Sequence, residues 1–254
     1  MHSAPRRVPS GFTLIELLIV ISIIGVLAAL ITVVAYRALV RAQEFAFKAE
    51  ITDIVQAVEK HQLKQGTYPV DFSDPVTFDA YMKRAYPRHR EDVAGWLGSV
   101  NLDASEALVF FLGGGLKKNS EFPLTGPGEP DIDFEFKEER LVDLDGDGFP
   151  SYVPQYGKGV PFVYFDARTY ALVSFSGVGS GVAHPYFSDN PDPNNAGQVL
   201  WVNPKKFQIL SAGLDADYGA DVVTKQFPSG AGYLRTDRDN IADFSSVTFE
   251  DHLP

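Results

Sequence analysis

Asp143-Leu144-Asp145-Gly146-Asp147-Gly148 sets carboxylates at alternating positions among glycines. A tight turn brings such acids together, and hard oxygen donors in that arrangement suit calcium. Asp143, Asp145, Asp147 and the carbonyl of Phe149 are the candidate ligands. Where a complete helix–loop–helix calcium loop carries a bidentate Glu at its twelfth position, this chain has Pro154. A solvated Asp/Gly turn fits the same residues, so both readings stay open. Other chemistry finds less support. The five histidines, His2, His61, His89, His184 and His252, form no His-Glu-x-x-His pair, and Gly-x-Ser-x-Gly, Walker and dinucleotide fingerprints are absent. The absence of cysteine excludes disulfides, iron–sulfur clusters, thiolate zinc sites and thiol nucleophiles. An enzyme is not expected. A carboxylate pair acting as acid and base would require a separation that only folding sets.

The elements that must position these residues begin with the amino terminus. The chain has 254 residues, 45% of them apolar, enough for one good-sized domain or two small ones. Its 22 Lys and Arg against 33 Asp and Glu give a formal charge of -11, which repels nucleic-acid phosphate. The apolar residues are concentrated in Leu17 to Tyr36, an uncharged run interrupted only by Ser22, Gly25 and Thr32. As a helix it spans about 30 Å, the thickness of a bilayer's hydrocarbon core. Arg6 and Arg7 precede it, so the positive-inside bias places the amino terminus in the cytoplasm, a bias that Arg37 and Arg41 weaken slightly. A secretory signal would end in a small-x-small cleavage site beyond its apolar stretch. Here the best junction comes before that stretch, at Ser10-Gly11-Phe12.

Arg6-Arg7-Val8-Pro9-Ser10-Gly11-Phe12-Thr13-Leu14-Ile15-Glu16 resembles the leader and helix start of type IV pilins and type II secretion pseudopilins. The resemblance implies cleavage after Gly11 by a prepilin peptidase, N-methylation of Phe12, and retention of the apolar helix. It also implies that Glu16 neutralises the terminal amine of a neighbouring Phe12 when helices pack into a filament. Read from the residues alone, Thr13-x-x-Glu16 is a capping box that satisfies free amides at the helix start. The two roles are compatible at different stages of assembly. Gly25 also falls where the family has a glycine, and Ile23, Ile24, Val26, Leu27 and Leu30 would pack helix on helix. Where many members carry a helix-perturbing proline, this chain has Val33.

Beyond Tyr36 the helix turns amphipathic, with Phe47, Ile51, Ile54, Val55 and Val58 on one face, and Gly66 is its natural stop. The expected fold class is α+β and pilin-like, with a long protruding helix at 12–65 packed on a carboxyl-terminal antiparallel β-sheet and a loop-rich tail. The expected domains are a leader at 1–11, the helix at 12–65 (12–36 membrane or filament core, 37–65 amphipathic) and an extracytoplasmic body at 66–254. Short helices are expected at Phe78 to Ala85 and Ala104 to Leu112, in a region of no assigned role, and strands at Ile132 to Phe136, Pro161 to Phe165, Tyr170 to Phe175 and Phe207 to Ser211. Asp166 to Thr169 reads as a hairpin turn, and His184 to Gly197 as a loop.

A second acidic stretch, Ser211-Ala-Gly213-Leu-Asp215-Ala-Asp217-Tyr-Gly219 followed by Asp237-Arg-Asp239-Asn240-Ile241, resembles the calcium loop of the major pseudopilins. It departs from that pattern at Ala216, in place of a glycine, and at Asn240, inserted between Asp239 and Ile241. The resemblance implies calcium ligands among Ser211, Asp215, Asp217, Asp237 and Asp239. In a chain with no disulfide, an ion is a reasonable staple for such a tail. The whole reading is a structural subunit of a type II secretion pseudopilus or a type IV pilus-like filament, held in the bacterial inner membrane with its body in the periplasm. Its partners would be other pilin-type subunits, the peptidase, the assembly platform and membrane lipid. The alternatives are a minor pilin for adhesion or uptake and a membrane-tethered, calcium-dependent binding module.

Overall fold

A computed structural model describes residues 12–117, 120–125, 128–129, 134–177, 179–193 and 199–253. The leader with Gly11, the start of the strand expected at Ile132 to Phe136, and residues 194–197 of the expected loop lie outside the described residues. Helix α1 runs Leu14–Gln65 without a proline and with Gly25 as its single glycine. It ends where the sequence places its stop. Gly66 takes a φ of 76°, open to a residue without a Cβ, and its amide donates to Gln62 O at 2.8 Å.

The chain divides into two compact units between Ala42 and Gln43. In the first, the large apolar side chains from Phe12 to Val34 are exposed. In the second, α1 buries Phe47, Ile51, Ile54, Ala57, Val58 and His61, a stripe at spacings of three and four.

The elements after α1 are short: α2 (Pro75–Ala85), α3 (Val93–Leu97), α4 (Ala107–Leu112), β1 (Leu141–Val142), β2 (Ser151–Tyr152), β3 (Val163–Asp166), β4 (Phe175–Ser176), β5 (Val182–Ala183), β6 (Phe187–Pro191), β7 (Val199–Trp201), β8 (Phe207–Ser211), β9 (Gln226–Phe227) and β10 (Ile241–Ala242). The central sheet is antiparallel in the order β10-β8-β3, with Tyr164 opposite Ile209 and Ile241 opposite Ser211. Alternation along its strands feeds two cores. Tyr164, Phe207, Ile209 and Ile241 join the cluster that holds the α1 stripe. Val163, Phe165, Leu210 and Ala242 join a second cluster with Tyr186, Tyr218 and Phe249. A sheet covered on both faces has no polar side, so β8 reads as a continuous buried run. Its one amide, Gln208, is satisfied by accepting from the Tyr186 amide at 2.7 Å and donating to Tyr186 O and Val202 O.

The stretch from 71 to 117, which the sequence leaves without a role, finishes the first core. Asp74 caps α2 by accepting from the amides of Val76 and Thr77, with Pro75 opening the helix. Phe72, Phe78, Tyr81, Trp96, Phe110 and Phe111 then pack as one aromatic group with ring centroids about 5–6 Å apart. Polar ties fasten α1 to the body as well. Lys48 Nζ donates to the carbonyls of Ala242 and Asp243, both at 2.8 Å, and Arg140 grips the Glu50 carboxylate with both of its terminal nitrogens.

Several expected elements take a different form. Tyr170 to Phe175 does not pair back on Pro161 to Phe165. The amides of Leu172 and Val173 both donate to Thr169 O, which coils this stretch into turns, and the Thr169 hydroxyl is held by Asp71 Oδ2 at 2.6 Å. The β3 strand pairs with β8 instead. The expected loop from His184 holds β6, which is antiparallel to β7 and parallel to β9. Phe134 to Phe136 carries no strand; its rings pack against each other and against Tyr152.

Candidate functional site

At the head of α1, the Thr13 amide and hydroxyl donate to Glu16 Oε2 at 2.9 and 2.6 Å, and the Glu16 amide donates back to Thr13 Oγ1 at 3.3 Å. This is the reciprocal capping box read from the sequence. It holds the acid at the helix start, one turn from Phe12. Both residues are exposed, and every large apolar residue that follows as far as Val34 is exposed too. Ser22 and Thr32 return their hydroxyls to Leu18 O and Ala28 O, so the segment's polar groups are satisfied within the helix. An 18-residue window of α1 has a mean hydropathy of 3.1, long and apolar enough to cross a membrane.

The first acidic loop joins β1 to β2. Asp143 organises it, its two oxygens accepting from the amides of Gly146 (2.7 Å) and Gly148 (3.0 Å). Asp145 accepts from the Asp147 amide and from Asn101 Nδ2, and Asp147 Oδ1 accepts from the Phe149 amide. The structure adds a residue that sequence reasoning missed. Glu106, at the start of α4 and only 3% exposed, brings a carboxylate oxygen within 4.8 Å of oxygens of Asp145 and Asp147. Its Oε2 accepts from the Asp103 amide at 3.0 Å. The signal for it was local: Asp103-x-x-Glu106 ahead of an apolar run has the spacing of a helix start. Burial pushes Glu106 up to about 8, with Asp103, Asp147 and Asp145 adding repulsion.

The carboxyl-terminal acids are brought only partly together. Asp239 Oδ2 accepts from the Asp215 amide at 2.9 Å, and Asp215 Oδ1 accepts from the Asp217 amide at 2.9 Å. Gly213, with a φ of 65°, makes this fit possible, since a Cβ there would lie 2.2 Å from Asp239 O. Burial and the Asp215 charge push Asp239 up to about 6. The Ser211 hydroxyl is buried without a partner. Asp217 Oδ1 accepts from the Gly219 amide at 2.8 Å. Asp237 has both oxygens engaged inside the protein: Oδ1 accepts from the buried Lys225 ammonium at 2.6 Å and Oδ2 from the Leu234 amide at 2.6 Å. Lys225 also donates to Tyr218 O at 2.9 Å.

These buried acids share a sign. Glu106, Asp243 (pushed up by burial to about 7), Asp166 (to about 6) and Asp239 all hold protons more tightly folded than in an unfolded chain, where carboxyls titrate near pH ~4. A raised acid favours the folded state while it is protonated, and its contribution fades as pH climbs from the unfolded value through the folded one. In excess chelator, the denaturant midpoint is therefore expected to be higher at about pH 5 than at about pH 8.5, and Glu106→Gln to flatten the upper part of that decline. A midpoint that rises across this window would contradict the assignment.

Among the described residues one apolar helix is of membrane-spanning length, and with the α+β body that follows it is consistent with single-pass membrane anchoring. Residues 6–32 match the family model described as the prokaryotic N-terminal methylation motif. The match is to this amino-terminal motif alone, and it supports a type IV pilin-like protein. The motif implies processing by a prepilin peptidase and assembly with other pilin-type subunits, and it points to a structural subunit. No curated protein and no solved structure matches the chain.

Proposed function

We propose that the chain is a structural subunit of a type II secretion pseudopilus or type IV pilus-like filament. The peptidase cuts after Gly11 and Phe12 becomes the methylated amino terminus. The helix holds the protein in the inner membrane, with Arg6 and Arg7 keeping the leader cytoplasmic and the body periplasmic. Subunits then leave the lipid and pack helix on helix.

The observation that carries this reading is the head of α1: a capped helix that opens two residues after Phe12, exposes an apolar surface for about five turns broken by Ser22 and Thr32, and bears a single carboxylate, Glu16, at its entry. In lipid or among like helices such a surface is satisfied, whereas in water it is not. Glu16 would meet the new terminal ammonium of an adjacent subunit, an attraction that strengthens as water is excluded.

Calcium in the carboxyl-terminal loop belongs to the same proposal. Asp215, Asp239 and the unpartnered Ser211 hydroxyl supply oxygen donors there, and an ion would close the tail of a chain that has no disulfide.

The test is the intact mass and amino-terminal sequence of protein isolated from membranes. Loss of residues 1–11 together with one added methyl group is expected. A retained Met1, or a cut beyond Ala28, overturns the reading.

A further inference from the structure

We infer that Glu106 completes a second divalent-cation site, formed with Asp145 and Asp147 across two segments far apart in the chain. The turn at 143–148 lacks an acid at the end of its own loop, and Pro154 stands there. Folding supplies one from elsewhere. Oxygens of Glu106, Asp145 and Asp147 all lie within 4.8 Å of one another. Two oxygens bound to one calcium ion at about 2.4 Å each can stand no more than about 4.8 Å apart, and all three pairs meet that limit.

Other observations point to a ligand beyond the acids themselves. Glu106 and Asp145 border a cavity of about 160 Å³, to which Asp103, Ser105, Ser151 and Ser180 also present oxygen-bearing side chains. Among the described residues, no Lys, Arg or His lines it. Ser180, from a different loop and only 2% exposed, borders this cavity with a buried hydroxyl that has no hydrogen-bond partner. Asp147 Oδ2 is likewise buried and unpartnered. Each such group carries a desolvation cost that a bound cation would offset.

The donor set is all oxygen, which selects a hard cation, and a cavity with room for several waters suits the six to eight ligands of calcium better than a compact magnesium shell. Asp143 is not a ligand in this arrangement; it shapes the turn through Gly146 and Gly148. An ion here would tie the start of α4 to the β1–β2 turn. This site is separate from the carboxyl-terminal loop and does not depend on the filament reading.

The structure also provides a probe. Trp96 packs on Phe149, two residues beyond Asp147, with ring centroids 6.4 Å apart, while Trp201 lies in the other core. Terbium, a luminescent stand-in for calcium, should therefore be sensitised through Trp96. The experiment uses the full chain in detergent carrying Asp239→Asn, which removes the carboxyl-terminal loop from the reading. Calcium is expected to raise the melting temperature of that protein by several degrees, and terbium emission excited through tryptophan to be lost in Trp96→Phe. Glu106→Gln and Asp145→Asn are each expected to weaken the calcium response at least about tenfold. Glu106→Gln replaces a buried carboxyl surrounded by acids with a neutral amide of the same size, so in chelator it should be no less stable than its parent. No calcium-dependent stabilisation of the Asp239→Asn protein, or a Glu106→Gln chain that responds to calcium as its parent does, overturns the inference.

Discussion

Glu16→Ala is expected to abolish filament formation while leaving cleavage after Gly11 and the thermal stability of the body unchanged. Within one chain the carboxylate does no more than cap an exposed helix start through Thr13. Alanine in its place leaves the rest of α1 intact, because the Leu17 amide still donates to Thr13 O at 3.2 Å and the following turns hold their own ladder. Between packed helices the balance differs. Each Phe12 ammonium would then enter a low-dielectric bundle with no anion beside it, and an unpaired charge in that setting opposes assembly far more strongly than an exposed one does. Filament yield should fall by more than about tenfold, with processed Glu16→Ala protein accumulating in the membrane. Glu16→Asp should recover part of the loss. A Glu16→Ala chain that still forms filaments would favour a tethered module that works without polymerising.

The second large effect lies in the body. Asp237→Ala should destabilise it by about 3–5 kcal/mol, because Lys225 would keep a fully buried ammonium with only Tyr218 O to meet it. Lys225→Met should cost a comparable amount by stranding the carboxylate, whereas replacing both together with Lys225→Met and Asp237→Leu should restore much of the stability. The pair sits where the carboxyl-terminal segment folds back, so it fastens the tail without a metal at that carboxylate. Denaturant unfolding of the three variants, with calcium and with chelator, measures this directly. Two single variants within about 0.5 kcal/mol of the parent would show that the pair is not holding the tail.

How much of this was legible beforehand follows from the range of the interactions involved. The whole of α1, its Gly66 exit and the Thr13–Glu16 cap are local in sequence, set by hydrogen bonds over three or four residues and by side-chain periodicity. The strands at 163–166 and 207–211 were equally visible, because a sheet buried on both faces writes a continuous apolar run. The hairpin expected at 166–169 failed for a reason no local pattern contains: Asp71, almost a hundred residues upstream, holds Thr169 and turns the chain aside.

The acids divide along the same line. Asp143, Asp145 and Asp147 announce their turn by spacing, yet the carboxylate that stands beside two of them, Glu106, is brought in by packing of α4 against β2. Asp237 resembled its neighbours Asp215 and Asp239 until folding placed Lys225 against it. Sequence alone determined the amino-terminal signature: the methylation motif, the apolar helix and the acid at its entry are contiguous, so their physics is one-dimensional. Only the tertiary structure decided which carboxylates meet cations and of what kind, because electrostatic partners inside a core are chosen by proximity in space, and burial raises the cost of every wrong choice.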